Sequence, residues 1–308
     1  MNMTGLFIGH GHRALVSCSR RFSVGSARLV FHASIEDSHT SVQPRIVSRL
    51  LLQKCQHGIE GPIVPGSAEW NPVKNQYFGD INDYRKYGLL RLLTNGGRIK
   101  TAVCWMLTPD DGRSDGGRIK YLSEPGKWRD FDDALFDHLE EIVLHRGLRN
   151  VSEIENSDIL PSCSFFSELV PDEREARAGY REGAIDSARG CALVFFDPDN
   201  GIEVRSKPVG RKDSSKYLYW HEIELFWKAG HSLLIYQHFP RVVRDPFIEA
   251  KARELADRTG APLVISFRTS HVVFFLVPQP ERRDYFCGRS EEVAGDWGDE
   301  FRVAYQCR

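Results

Sequence analysis

Two kinds of hydrophobic pattern alternate along the chain between residues 80 and 277. Short continuous apolar runs, rich in β-branched and aromatic residues, predict buried strands over 99–107, 192–196, 231–238, 262–268 and 271–277. Stretches whose apolar residues recur at helical spacing predict helices over 81–93, 131–148, 172–189, 217–229 and 246–259. Asp80 is expected to cap the first helix, Gly96 and Gly97 to end it, and residues 151–154 to form one more short strand.

The order of these elements predicts the fold class. Only Thr269 and Ser270 separate the last two predicted strands, so we expect them to pair as an antiparallel hairpin. The other strands are joined through helices, which favours parallel pairing within one sheet. The sequence therefore predicts an α/β fold: a three-layer, Rossmann-like, mostly parallel sheet that ends in an antiparallel hairpin.

The first 70 residues differ from the rest of the chain. Gly, Ser, His and Arg are frequent there, and the apolar periodicity is short and broken, apart from a short helix expected over 45–53. This composition predicts a poorly ordered N-terminal extension over residues 1–70, followed by a single α/β domain over residues 71–308.

Composition and charge narrow the class of protein. Hydrophobic residues at 41% and charged residues at 27% are typical of a soluble globular protein, and no run approaches the roughly 18 apolar residues that span a bilayer. A net charge of -1 gives no global basic field for nucleic acid, although a local basic patch remains compatible with it. The 7 cysteines form no C-x-x-C pair, which argues against a zinc site or a disulfide scaffold and suits the reducing cytoplasm.

Candidate chemistry concentrates where two predicted strands end. The run over 192–196 stops on Asp197, Pro198, Asp199, Asn200 and Gly201, and the run over 99–107 empties into the acidic loop 108–117. In parallel α/β sheets, ligands bind at the carboxyl ends of strands, and carboxylates there accept hydrogen bonds from hydroxyl or amino groups or bind a hard metal ion. The alternative is that Asp, Pro, Asn and Gly only form the turns.

A third polar segment opens the first predicted helix. Asp83 and Lys86 are three residues apart and share one helix face. They form either a surface ion pair or the ligand-facing start of the helix.

The order of four short motifs gives a resemblance to a known family. G-D-x-x-D-x-x-K-Y, T-P-D-D-G-R, D-P-D-N and Y-Q-H-F-P follow one another along the chain. In this order they resemble the bacterial large-subunit rRNA adenine-N6 methyltransferases, which are class I S-adenosylmethionine-dependent enzymes. The N-Q-Y-F-G-D and F-F-D-P-D-N-G motifs also resemble those of an uncharacterised bacterial family.

The resemblance implies roles for particular residues. The segment beside S-adenosylmethionine would comprise Gly79, Asp80, Asp83 and Lys86. The cofactor loop would comprise Thr108, Asp110, Gly112, Arg113 and Asp115. Asp197 and Pro198 match the first half of the catalytic turn, whereas Asp199 and Asn200 replace the Pro-Tyr that stacks the target base in that family.

Two further features have both a functional and a structural interpretation. Positive charge and an aromatic ring combine in one patch, which suits contact with RNA or DNA or a plain solvated loop: Lys207, Arg211, Lys212, Lys216 and Tyr217. His238 ends a predicted strand at the same sheet edge and is either an acid or base or a hydrogen-bonded structural histidine.

Three functions therefore stand as hypotheses. The first is an S-adenosylmethionine-dependent methyltransferase in which Asp197 and Asn200 orient the acceptor. The second is a Mg²⁺-dependent nuclease or phosphodiesterase that uses Asp110, Asp115, Asp197 and Asp199, with Lys86 or His238 moving a proton or stabilising charge. The third is a non-catalytic binding protein on the same fold.

Overall fold

The computed structural model describes residues 2–9, 12–23, 26–34, 77–109 and 117–308, with side chains in the last two ranges. It divides into two compact units, Met1–Ala68 and Glu69–Arg308. The first unit contains an antiparallel sheet in which β2 lies between β1 and β3: β1 (Asn2–Gly9), β2 (His12–Ser23) and β3 (Ser26–Ser34). The predicted helix over 45–53 lies outside the described residues, and the poor order of the extension stays a prediction.

The second unit is built on a 7-stranded sheet in the order β12-β10-β11-β9-β6-β4-β5. Its strands are β4 (Thr101–Cys104), β5 (Cys163–Phe166), β6 (Leu193–Phe196), β9 (Ser232–His238), β10 (Leu263–Arg268), β11 (Val272–Val277) and β12 (Arg302–Cys307). β5, β4, β6, β9 and β10 run in one direction, and β11 and β12 run in the other. A separate parallel pair consists of β7 (Gly201–Ile202) and β8 (Tyr217–Leu218).

Helices cover the sheet between these strands. They are α1 (Ile81–Thr94), α2 (Pro125–Trp128), α3 (Asp133–Glu140), α4 (Ser152–Glu155), α5 (Arg174–Ser187), α6 (Trp220–Lys228), α7 (Arg244–Thr259) and α8 (Arg283–Asp296). A π-helical turn over Glu141–His145 continues α3. None of the helices in the described part of the chain is long and apolar enough to cross a membrane.

Alternate side chains of each strand pack on opposite faces of the sheet, as the pleat of a β-strand requires. Phe195 and Leu234 join the core that includes α1, α3 and α8, whereas Phe196 and Ile235 join the core that includes α5, α6 and α7. Two helical layers therefore enclose one sheet. This confirms the predicted three-layer, mostly parallel α/β fold, and the register Ile265 to Leu276 confirms the antiparallel hairpin.

Several predicted elements differ from the structure in extent or type. The strand expected over 99–107 is regular only over β4, and the strand expected over 151–154 is wrong because Ser152–Glu155 is helical. The helix expected over 217–229 begins at Trp220, since Tyr217 and Leu218 pair with β7 instead. α8, β5 and β12 were not expected, because few consecutive apolar residues mark them.

Helix α1 is buried around almost its whole circumference, so a larger side chain at a position in close contact would clash with its neighbours. Asp80 caps it by accepting hydrogen bonds from the backbone N–H groups of Asn82 and Asp83. Its C-cap is Asn95, with φ 49°, and the expected Gly96 and Gly97 follow with φ 60° and 87°. In its middle, a Cβ on Gly88 would lie 2.4 Å from ring carbons of the buried Trp297.

We expect Gly88→Ala to lower the free energy of unfolding by about 1–3 kcal/mol, because the added methyl group overpacks α1 against Trp297. Gly179→Ala is the matched control, since Gly179 is an exposed glycine of α5 and a Cβ added there would have no atom within 4 Å. That control should gain about 0.5–1 kcal/mol from helix propensity. Urea denaturation measures both changes, and equal behaviour of the two variants would contradict this packing.

Candidate functional site

The candidate site lies at the topological switch point of the sheet, where the strand order reverses. From β4 the chain passes to β5 on one side and then to β6 on the other, so the carboxyl ends of β4 and β6 face a crevice. A cavity of about 560 Å³ opens at this point. Its walls come from the start of α1, from Trp105 to Thr108 after β4, and from Asp197 to Asn200 after β6.

A short chain of charged groups forms the floor of the cavity. The Lys86 ammonium donates to Asp83 Oδ1 at 2.7 Å and to Asp197 Oδ2 at 2.6 Å. Asp83 Oδ2 in turn accepts hydrogen bonds from the Gly79 backbone N–H at 3.0 Å and from the Tyr87 hydroxyl at 3.3 Å. These contacts connect α1 directly to the end of β6.

Asp83 and Lys86 are buried, with exposed fractions of 5% and 7%. The interpretation of this pair as a surface ion pair is therefore wrong. Aromatic rings surround the ammonium, whose nitrogen lies 5.7 Å from the ring centroid of Tyr236 and 5.9 Å from that of Trp105. Such rings attract cations through their negative faces.

Burial and neighbouring charges shift the pKa values of these groups, and at Asp197 and Lys86 the two effects oppose each other. Burial raises the pKa of Asp197 to about 6, although Lys86 opposes the shift. Burial alone would lower the pKa of Lys86, but the carboxylates of Asp197 and Asp83 outweigh it and raise that pKa. Burial, helped by the Asp83 carboxylate, raises the pKa of Asp80 to about 7. At neutral pH the floor therefore holds an ammonium ion and carboxyl groups poised to exchange protons.

The turn after β6 presents its polar groups to the cavity. The Asp197 backbone N–H donates to the Cys104 carbonyl at 3.1 Å, which fixes the turn against β4. The Asp197 side chain keeps 17% of its surface exposed. Thr108 Oγ1 donates to Asp199 Oδ2 at 3.1 Å and so ties the two strand-end loops together. Pro198 and Asn200 also line the cavity.

Basic groups occupy the more exposed wall of the same cavity. Lys207 and Lys216 line it and flank Asp213, with nitrogen to oxygen distances of 3.4 Å and 3.7 Å. Arg118 lines it from another side, and a second groove shares Arg118 and His238 with the cavity before continuing past Arg241 and Arg244. We call Arg118, Lys207 and Lys216 the basic rim.

His238 lies on this rim at the end of β9. Its side chain is exposed and lines both the cavity and the second groove. Partial burial, followed by the positive charge of Arg118, lowers the pKa of His238. The imidazole is therefore neutral at neutral pH and able to accept a proton.

The predicted site residues divide into three groups. Those that the structure brings together around the cavity are Asp80, Asp83, Lys86, Thr108, Asp197, Pro198, Asp199, Asn200, His238, Lys207, Lys216 and Tyr217. Gly79 supports the start of α1 from behind, and Arg211 and Lys212 are exposed away from the cavity lining. Asp110, Gly112, Arg113 and Asp115 lie outside the described residues.

Sequence reasoning missed the aromatic lining and one amide. Tyr87, Trp105 and Tyr236 surround the floor, but the sequence placed Trp105 and Tyr236 in predicted strands and gave Tyr87 no role beyond its place in a motif. Asn82 also lines the cavity, and its Oδ1 is buried with no hydrogen-bond partner among the residues that the structure describes. Its place in the first turn of α1, next to the capping Asp80, was the available signal.

In the ranges 77–109 and 117–308, no group of three or more His, Cys, Asp or Glu side chains is arranged to hold a metal ion. In comparisons with known proteins, no protein-family model matches the chain and no curated protein matches it. The methyltransferase resemblance therefore stays a prediction, and what the site can do follows from its geometry.

The raised pKa of Asp80 predicts a pH dependence of stability. An unfolded aspartate titrates near ~3.9, so between pH 4 and pH 7 the native state binds more protons at Asp80 than the unfolded state does. The contribution of this group to stability therefore falls as the pH rises through that window. Asn retains the capping oxygen but cannot ionise.

We expect the free energy of unfolding of the wild type to rise by about 1 kcal/mol relative to Asp80→Asn when the pH is lowered from 8 to 6. Urea denaturation of both proteins at the two pH values measures this difference. A gap between the two proteins that is the same at both pH values would show that Asp80 does not titrate in this range.

Proposed function

We propose that the second unit binds S-adenosylmethionine in the cavity and transfers its methyl group to a nitrogen of a nucleic-acid acceptor. The observation that carries this proposal is the floor of the cavity, where carboxylates and aromatic rings meet at the reversal point of the sheet. S-adenosylmethionine supplies an activated methyl group on a sulfonium cation. Because Asp83 and Asp197 already pair with Lys86, the charges of Asp80 and Asp199, together with the aromatic faces, would favour the bound cation.

The chemistry of the cavity fits this cofactor. Its volume of about 560 Å³ falls within the roughly 300–1,000 Å³ of small-molecule and cofactor sites. Asn82 lines the cavity, and its buried Oδ1, which has no hydrogen-bond partner among the described residues, would accept from an N–H or O–H group of a ligand. Asp80 and Asp199 offer further acceptors for amino and hydroxyl groups.

Asp197 is the group best placed to receive the proton that nitrogen methylation releases. It is a carboxylate at neutral pH, since its pKa is about 6, and it keeps a solvent-accessible face toward the cavity. Lys86 holds it in place through the 2.6 Å ion pair. Methyl transfer needs little other acid-base chemistry, so positioning of the two reactants provides most of the rate.

The acceptor side of the cavity favours polar recognition. Asp199 and Asn200 supply carboxylate and amide groups where the resembling family stacks an aromatic ring, so the acceptor is held through its N–H groups. The basic rim surrounds this acidic floor and suits phosphate groups of a polynucleotide outside the cavity.

The Mg²⁺-dependent hydrolase finds less support. Of its described ligands, Asp197 pairs with Lys86, and in the described part of the chain no group of three or more His, Cys, Asp or Glu side chains is arranged to hold a metal ion. Asp110 and Asp115 lie outside the described residues, so that hypothesis stays a prediction. Binding without turnover is the outcome that would favour the non-catalytic alternative.

Asn82→Ala should weaken the binding of S-adenosylmethionine and of S-adenosylhomocysteine about tenfold, because the ligand loses a hydrogen-bond acceptor. The variant should remain as stable as the wild type, since Asn82 Oδ1 has no partner to lose in the described part of the chain. Isothermal titration calorimetry measures the binding, and a thermal melt checks the fold.

Asn156→Ala, at an exposed position outside the cavity, is the matched control and should bind normally. Absence of binding heat from either ligand with the folded wild type would overturn the proposed function. Phosphodiester cleavage that requires Mg²⁺ and disappears in Asp197→Asn would establish the hydrolase instead.

Replacing Lys207 and Lys216 with Gln should weaken binding of a single-stranded RNA and make it less sensitive to salt. Each lysine that contacts a phosphate adds about 1 to the slope of log affinity against log salt concentration. Fluorescence anisotropy over a salt series measures that slope. Lys228→Gln, an exposed lysine outside the cavity, is the control, and an equal slope in all these variants would exclude the rim as the contact surface.

A further inference from the structure

Gln237 stands where the regular pairing of two central strands ends. The ladder between β6 and β9 runs as far as Phe196 and Ile235. Beyond it the chain after β6 leaves the sheet through the turn Asp197 to Asn200, while β9 continues to Gln237 and His238. The Gln237 side chain is 5% exposed and lies beneath this turn.

Beyond the end of this ladder, the carboxamide of Gln237 makes hydrogen bonds to the backbone of the chain that follows β6. Its Nε2 donates to the Asn200 carbonyl at 3.0 Å and to the His238 carbonyl at 2.7 Å. Its Oε1 accepts from the Ile202 backbone N–H at 2.9 Å. Both N–H groups and the oxygen of one side chain are therefore engaged, and only an amide supplies this set of donors and acceptor.

Gly201 lies between Asn200 and Ile202, the two residues of this segment that bond to the amide, and it leaves room for the Gln237 side chain. Gly201 has φ 108°, and a Cβ there would lie 2.4 Å from Cδ and Nε2 of Gln237. Glycine is required both by the backbone conformation and by the close approach of the side chain. The D-P-D-N-G motif and the distant Gln237 thus form one unit.

We infer that Gln237 is the positioning residue that holds the turn Asp197 to Asn200 in its ligand-facing conformation. The inference rests on the proposed function in that this turn is taken to meet the cofactor and the acceptor. Gln237 itself touches neither, because it is not among the residues that line the cavity and its N–H groups and oxygen bond within the protein. A turn that occupies this conformation only part of the time would lower the apparent affinity by the same fraction.

The test compares two glutamines that use the same chemistry in different places. Gln237→Glu replaces the NH₂ group, which donates to two carbonyl oxygens, with a carboxylate oxygen that can only accept. Gln237→Met removes the hydrogen bonds without adding charge. Gln279→Glu is the matched control: Gln279 is also buried and donates to two carbonyls, of Trp227 and His231, away from the cavity. Any general cost of losing a buried amide appears in all three proteins as a lower melting temperature.

Two readouts separate positioning from general stability. Hydrogen–deuterium exchange of the peptide that contains Ile202 should be at least about tenfold faster in both Gln237 variants and unchanged in Gln279→Glu, because the Ile202 N–H loses its acceptor or its fixed geometry. Calorimetry with S-adenosylhomocysteine at pH 8 should show binding weakened about tenfold or more in Gln237→Glu and unchanged in the control.

Lowering the pH to 5.5 provides a rescue specific to this position. An ordinary glutamate titrates near ~4.3, and burial beside two carbonyl oxygens should raise the pKa of the introduced carboxyl into this range. A protonated carboxyl regains one donor, so the affinity of Gln237→Glu, taken as a ratio to the wild type at the same pH, should recover toward one. The ratio removes the titration of Asp80, Asp197 and His238, which both proteins share.

The outcomes distinguish this inference from the proposed function. Wild-type affinity in the Gln237 variants, or exchange at Ile202 unchanged from the wild type, would overturn the inference and leave the proposed function intact. If the wild type binds neither S-adenosylmethionine nor its product, the proposed function fails. In that case the hydrogen–deuterium exchange at Ile202, which needs no ligand, still tests whether Gln237 holds the turn.

Discussion

The ion pairs of Lys86 with Asp83 and Asp197 are the interaction on which the rest of the site depends. A buried ammonium is costly to desolvate, and it is tolerated here because two carboxylates and surrounding aromatic rings compensate it. Removing one partner of such a buried pair typically costs about 3–5 kcal/mol, because the other charge is left uncompensated. The pairs therefore hold α1 and the end of β6 in one relative position.

That constraint accounts for the arrangement of charge around the cavity. Since Lys86 neutralises part of the floor, the buried Asp80 and the half-buried Asp197 have raised pKa values and still ionise close to neutral pH. The basic rim lies farther out, where solvent screens it. Under the proposed function, the acidic, aromatic floor would take the cationic cofactor and the basic rim would take the anionic acceptor.

The parts of the molecule that could be predicted are those governed by local pattern. Continuous apolar runs identified β6, β9 and the final hairpin, and a capping aspartate identified the start of α1, because burial and capping act over a few neighbouring residues. Placement of Asp197 at the carboxyl end of a central strand also followed, since α/β sheets bind ligands there. β12 was missed because an edge strand with exposed side chains lacks an apolar run.

The contacts that join distant segments could not be predicted in the same way. Spacing alone left Asp83 and Lys86 as either a surface ion pair or the ligand-facing start of a helix, and only the fold shows that Lys86 also pairs with Asp197. The strand predicted over 151–154 carries an apolar residue at each end, yet Ile154 packs into the core from a helical turn. The hydrogen bonds from Gln237 to the turn likewise depend on the register of β9 beside β6, which no local pattern encodes.

Crystals of the protein soaked with S-adenosylhomocysteine would show whether the cavity is the cofactor site. We expect ligand density in the cavity between the carboxyl ends of β4 and β6, with a ligand N–H or O–H group donating to Asn82 Oδ1. A well-ordered ligand elsewhere on the protein, or a cavity without ligand at saturating concentration, would contradict it.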